Sequence, residues 1–161
     1  MTPAGPDFFP NPDASGQEEP ITFFSEDIDF ELSNAPAISN WISFVISAEN
    51  SELDFLNFIF CSDNHLHQIN VAYLDHDDLT DVITFPYAAP PRIQGDIFIS
   101  IDRVRENAGL FNAAFEQELR RVMIHGVLHL CGYKDKTPEE STMMRQKEEE
   151  SLNRLTSFIL T

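Results

Sequence analysis

The stretch from Arg120 to Asp135 constrains this chain more than any other: Arg-Arg-Val-Met-Ile-His-Gly-Val-Leu-His-Leu-Cys-Gly-Tyr-Lys-Asp. His125 and His129 stand four residues apart in an apolar run, and Gly132 follows close behind. Residues i and i+4 of a helix share one face. Two imidazoles placed that way can hold one metal ion at about 2.0–2.1 Å each. Glycine commonly ends a helix, so the chain is expected to turn back just after the pair. Asp135 is the first side chain beyond the turn able to serve as a third ligand. Two histidines embedded among apolar residues would in any case need polar partners.

The same stretch excludes some chemistry. Cys131 lies two positions past His129, about 200° around the helix at 3.6 residues per turn, so thiol ligation is not expected. Zinc peptidases of the H-E-x-x-H kind carry a glutamate beside the first histidine as general base. Here that position is Gly126, and a peptidase of that mechanism has no base. A metal with an open coordination position still lowers the pKa of bound water toward about 7 and polarises a phosphoryl oxygen. Phosphodiester hydrolysis is therefore chemically open.

A chain of 161 residues is expected to form one domain and to bury enough surface to need no structural metal or disulfide. Cys61 and Cys131, with no readable secretory signal, suggest reduced thiols and a cytoplasmic location. No apolar run is long enough for a membrane span. Ten Lys and Arg against 27 Asp and Glu give a net charge of −17. Phosphate contacts come from Lys and Arg, so a broad nucleic-acid surface is not expected and no DNA partner is assigned. The acid excess is read as an adaptation to a salty cytoplasm.

Met1 to Pro20 is proline-rich and aperiodic and reads as a flexible leader, leaving residues 21–161 as the single domain. Ile21 to Phe24 reads as a strand and Asn34 to Asn50 as a helix with Pro36 in its first turn. Leu53 to Cys61 reads as a buried strand. A short helix follows the cap at Ser62-Asp63-Asn64, with Leu66, Ile69 and Val71 or Ala72 inward. Tyr73 to Leu79 reads as an acidic loop. Val82 to Phe85 reads as a strand stopped by Pro86, the stretch from Arg92 to Ser100 carries another after Gly95, and the pair from Val82 and from Ile97 is expected to form a long hairpin with a proline-rich tip. The histidine helix is assigned to Asn112 to Cys131. Its inward stripe is Phe115, Leu119, Val122, Met123, Gly126, Val127 and Leu130. Thr137-Pro138-Glu139-Glu140 is a capping box that starts a last helix. Met144, Leu152, Leu155 and Ile159 form the inward side of that helix, and Glu148-Glu149-Glu150 a solvated face.

His125-Gly126-Val127-Leu128-His129-Leu130-Cys131-Gly132-Tyr133-Lys134-Asp135 resembles the H-G-x-L-H-L-x-G-Y-D-H signature of the bacterial YbeY endoribonucleases. Thr80-Asp81-Val82-Ile83-Thr84-Phe85-Pro86 resembles their T-D-V-L-S-F-P segment, and Gly95-Asp96-Ile97 their G-D-I strand start. The three motifs fall in family order between Ile21 and Leu155. The resemblance implies a zincin-like α+β fold: a small mixed sheet packed with four to five helices, and the metal site at the end of a central helix. It also implies one Zn²⁺ per chain and endonucleolytic cleavage of single-stranded RNA in ribosomal RNA maturation, at the small-subunit 3′ end, and in ribosome quality control. The expected ligands are His125, His129 and Asp135.

Two departures stand out. Asp135 occupies the place of the family's third histidine, and an oxygen ligand at about 2.0–2.2 Å suits zinc while bringing other divalent ions within reach. Leu74, in Asn70-Val71-Ala72-Tyr73-Leu74, occupies the place of an arginine, so a phosphate-binding cation is missing there. Arg92 is the nearest substitute by sequence, and Asp81 and Asp96 are candidates for a general base. His65, His67 and His76 lie outside any ligand spacing. With so few basic residues, delivery of the substrate by the ribosome or a ribosomal protein is the expected route. The alternatives are a metallohydrolase of a non-RNA substrate and a non-catalytic ribosome-assembly factor with a structural metal. An open fourth coordination position separates enzyme from structural site.

Overall fold

The computed structural model describes residues 19–74 and 80–159. Residues 1–18 of the expected leader, most of the acidic loop and His76 lie outside the described residues. Four strands and five helices are described: β1 (Ile21–Ser25), α1 (Ala35–Ala48), β2 (Glu52–Cys61), α2 (Asp63–Leu74), β3 (Val82–Pro86), β4 (Arg92–Ser100), α3 (Ile101–Leu110), α4 (Phe115–Leu130) and α5 (Pro138–Leu155). This is the expected α+β architecture around a mixed sheet.

The sheet order is β1-β2-β4-β3. β1, β2 and β4 run parallel, and β3 pairs antiparallel with β4 from Val82↔Ile99 to Pro86↔Gly95. The expected hairpin is therefore present, with the Pro90–Pro91 peptide bond cis at its tip. Strand alternation sends side chains to opposite faces. Leu56, Phe58 and Phe60 of β2, with Ile97 and Ile99 of β4, meet α1, α3, α4 and α5 in the larger core. Ile59, Cys61 and Phe98 point the other way, toward Leu66 and Ile69 of α2. α4 is thus central, packed on the sheet and flanked by α3, α5 and α1.

Three local differences have physical causes. α2 continues through Leu74, and its inward residues are Leu66, Ile69 and Asn70, leaving Val71 and Ala72 exposed. The helical period carries Asn70 inward beside Leu66 and Ile69. α4 starts at Phe115 rather than Asn112, because Asn112 adopts a left-handed φ of 56° and breaks the helix there. Before it stands α3, which no sequence pattern announces. Ser100 ends β4 and at once caps α3, its hydroxyl accepting from the Arg103 N–H at 3.0 Å. No turn residue separates the two elements.

Candidate metal centre

The C-terminal end of α4 is built by glycine. Gly132 takes φ 111°, a conformation that suits a residue without Cβ. Its N–H donates to His129 O, and the Tyr133 N–H donates to Leu128 O, both at 3.0 Å. This double closure is a Schellman motif. It reverses the chain so that Asp135 comes back over the histidine face. Gly126 answers a different need. A Cβ there would lie 3.1 Å from two Ile97 side-chain atoms and 3.3 Å from Thr84 Cγ2, so the missing side chain lets α4 sit tightly on β3 and β4.

His125 Nε2 and His129 Nε2 lie 3.1 Å apart, and each is 3.4 Å from Asp135 Oδ2. The ligand atoms of a tetrahedral zinc with arms of 2.0–2.1 Å stand about 3.3–3.4 Å apart. The outer nitrogens explain why these atoms converge. His129 Nδ1 lies 2.9 Å from Tyr133 O; a carbonyl only accepts, so Nδ1 carries the proton. His125 Nδ1 lies 2.6 Å from Glu148 Oε2, and that carboxylate likewise accepts. Both Nε2 lone pairs then face each other and a carboxylate oxygen. Three acceptors converging in this way suit a cation held between them. The donor set therefore fits a metal, and His125, His129 and Asp135 form a group able to hold one.

Glu148 departs from the solvated face expected of its glutamate run: it is 2% exposed. Its other oxygen accepts from Arg121 Nη1 at 3.1 Å, and Arg121 is also clamped by Glu118 at 2.6 Å. Glu118, too, is buried. Burial pushes the Glu148 carboxyl up, but the His125 hydrogen bond and the charge and hydrogen bond of Arg121 outweigh it and hold it below its ordinary range. Such a carboxylate behind a ligand histidine fixes the ring and its tautomer. A second tether holds the turn. Tyr133 Oη donates to Glu49 Oε1 at 2.6 Å, and Lys147 Nζ lies 3.2 Å from Glu49 Oε2 and over the Tyr133 ring. The end of α1, the turn and α5 are thereby locked together, and with them the carbonyl that orients His129. Glu49 and Glu148 carry no sequence signal of this role, since their partners stand far along the chain.

An open cleft of about 430 Å³ adjoins His125, His129 and Asp135 and is walled by Asn70 and Leu74 of α2, Asp81 and the start of β3, and Lys136. Asp81 is thus brought to the site. Burial pushes its carboxyl up, and a backbone hydrogen bond and the Arg121 charge only partly oppose this. Leu74 faces the same cleft. Arg92 and Asp96 are not among its walls. Arg92 begins β4 with its guanidinium on Asp54 Oδ2 at 2.5 Å and Glu52 Oε1 at 3.4 Å. Asp96 is buried and accepts from Asn57 Nδ2 at 2.9 Å and Tyr87 Oη at 2.7 Å. His65 stands 3.4 Å from Glu26. Cys131 is half-buried and packs against the larger core, outside the ligand group.

The sequence model of the family described as endoribonuclease YbeY matches residues 21–156. A protein named endoribonuclease YbeY from Flavobacterium psychrophilum is 55% identical over 129 residues, 80% of this chain and 92% of that protein. One of the same name from Amoebophilus asiaticus is 57% identical over 80% of this chain and 88% of its own. A solution structure of a Thermotoga maritima protein superposes with a TM-score of 0.62 at 27% identity, covering 85% of this chain and 89% of that one.

Proposed function

We propose, from the premise that this chain belongs to the YbeY endoribonuclease family, that it is a zinc-dependent endoribonuclease cleaving single-stranded RNA in ribosomal RNA maturation. The observation that carries the proposal is the convergence of His125 Nε2, His129 Nε2 and Asp135 Oδ2 within 3.1–3.4 Å, beside an open cleft. A divalent ion held by these three residues would supply a Lewis acid beside the scissile phosphodiester. Two imidazoles and a carboxylate suit zinc, and the carboxylate keeps manganese in reach.

The protein's own groups have separable tasks. Glu148 holds the Nδ1 proton of His125, and the Tyr133 carbonyl holds that of His129, so both rings present Nε2 to the site. Asp81, just before β3, lines the cleft and would take a proton from the attacking nucleophile, the general-base role. An acid or base so positioned contributes typically 10²–10⁴-fold to rate. Leu74 and the start of β3 give the cleft an uncharged wall. Arg92, held by Asp54 and Glu52, has no part in this account. Three ligand side chains among the described residues and an adjoining cleft favour an enzyme over a structural metal.

The test uses the full chain and a labelled single-stranded RNA. Chelation should abolish cleavage, and added zinc or manganese should restore it. Asp81→Asn should keep the metal and lose about 10²–10⁴ in kcat. Cleavage that survives chelation, or an Asp81→Asn variant with full kcat, would overturn the corresponding part.

A further inference from the structure

The ten basic side chains of this protein face 27 acidic ones, and nearly all of them are occupied. Five arginines and Lys147 stand within 4.0 Å of a carboxylate. Arg105 and Arg154 lie over the Phe115 and Phe44 rings, at 4.6 and 5.2 Å from their centroids. Among the described residues, Lys134 and Lys136 alone have neither kind of partner. They flank Asp135, and both are exposed. Only Lys136 lines the cleft, where it is the single basic side chain beside His125, His129 and Asp135.

We propose that Lys136 is the substrate-phosphate anchor of this cleft, binding a phosphodiester of the RNA next to the metal ligands. A chain with a net charge of −17 repels a polyanion, so a phosphate can settle only where a cation is not already neutralised. An ammonium is a compact charge with three donors on a flexible stem, able to follow a phosphate that moves during turnover. The backbone around it is fixed: the Lys136 N–H donates to Glu140 Oε1 at 3.0 Å, and Thr137 caps α5. The anchor therefore rises from a rigid base with its side chain unspent. Leu74 and Asn70 across the cleft bring no charge, which leaves Lys136 to set where the backbone lies.

The proposal rests on the endoribonuclease reading, and the experiment separates the two. Cleavage of a single-stranded RNA oligonucleotide by the metal-loaded full chain is measured for wild type, Lys136→Ala, Lys136→Glu, Lys136→Arg and Lys134→Glu. Lys136→Ala should raise KM roughly tenfold and leave kcat little changed. Its plot of log(kcat/KM) against log[KCl] should flatten by about 0.7, the contribution of one phosphate on a single strand. Lys136→Glu should be worse, Lys136→Arg should recover most of the loss, and Lys134→Glu, outside the cleft, should stay close to wild type. Wild-type KM and salt slope in both Lys136→Ala and Lys136→Glu would overturn the anchor alone. A wild-type chain that does not cut RNA would sink the endoribonuclease reading and the anchor with it.

Discussion

Glu148 sits in a run of three glutamates on α5, yet both of its oxygens are engaged inside the protein, one by His125 and one by Arg121. Three consecutive acids on a helix look like a solvated face, and nothing local distinguishes the first from the others. Its partners are on α4, 23 and 27 residues away, so only the packing of the two helices reveals its task. His125, His129 and Asp135 were legible because helical period and a glycine stop bring them together within eleven residues of chain. Arg92 looked like a cleft residue by its place before Gly95, but β2 runs alongside β4 and supplies Asp54 and Glu52 to claim it. Glu148→Gln keeps the shape and removes the charge that holds the His125 proton. Metal affinity should fall about 10–100-fold in a chelator competition, with the fold retained by circular dichroism. An unchanged affinity would show that His125 needs no carboxylate behind it.

α4 and its turn show the same division at the level of elements. The Schellman glycine was readable as punctuation, and it brings Asp135, the proposed third ligand, back over the histidine pair. Gly132→Ala should cost about 1–3 kcal/mol, because φ 111° strains any residue with a Cβ; the metal site should weaken with it as Asp135 loses its return path. Gly109 near the end of α3 gives the contrasting sign. A Cβ there meets nothing within 4 Å, so Gly109→Ala should stabilise by up to about 1 kcal/mol through helix propensity. Thermal unfolding of the two variants side by side checks both, and equal shifts would contradict the assigned role of Gly132. The strands and α1 were legible from β-branched and aromatic runs, from Pro36 and from apolar period. α3 was not, since it follows β4 without a turn and presents only Ile101, Val104 and Ala108 inward.

Across the whole molecule, a mixed sheet covered by four helices on one face and by α2 on the other places the cleft where β3, α2 and the end of α4 meet. The second core closes around Cys61, whose thiol burial drives from 9.0 up to about 12, with Asp27 and Glu26 adding to the effect. The folded protein holds that proton more tightly than the unfolded chain. The stability this gives is therefore complete below about pH 9 and is lost as pH rises from 9 toward 12. Between pH 9 and 10.5, wild type should lose about 1–2 kcal/mol more than Cys61→Ala in denaturant unfolding, and parallel losses would contradict the buried-thiol account. Charge is the larger feature, since −17 leaves a single unspent cation in the cleft and makes a bound metal the other positive centre available to RNA. The most direct measurement of that centre is metal content paired with RNA cleavage in wild type, His125→Ala, Asp135→Ala and Asp135→His. About one ion per wild-type chain is expected, with loss of both ion and cleavage in the two alanine variants and retention of the ion in Asp135→His. Full occupancy and full activity in Asp135→Ala would contradict this expectation.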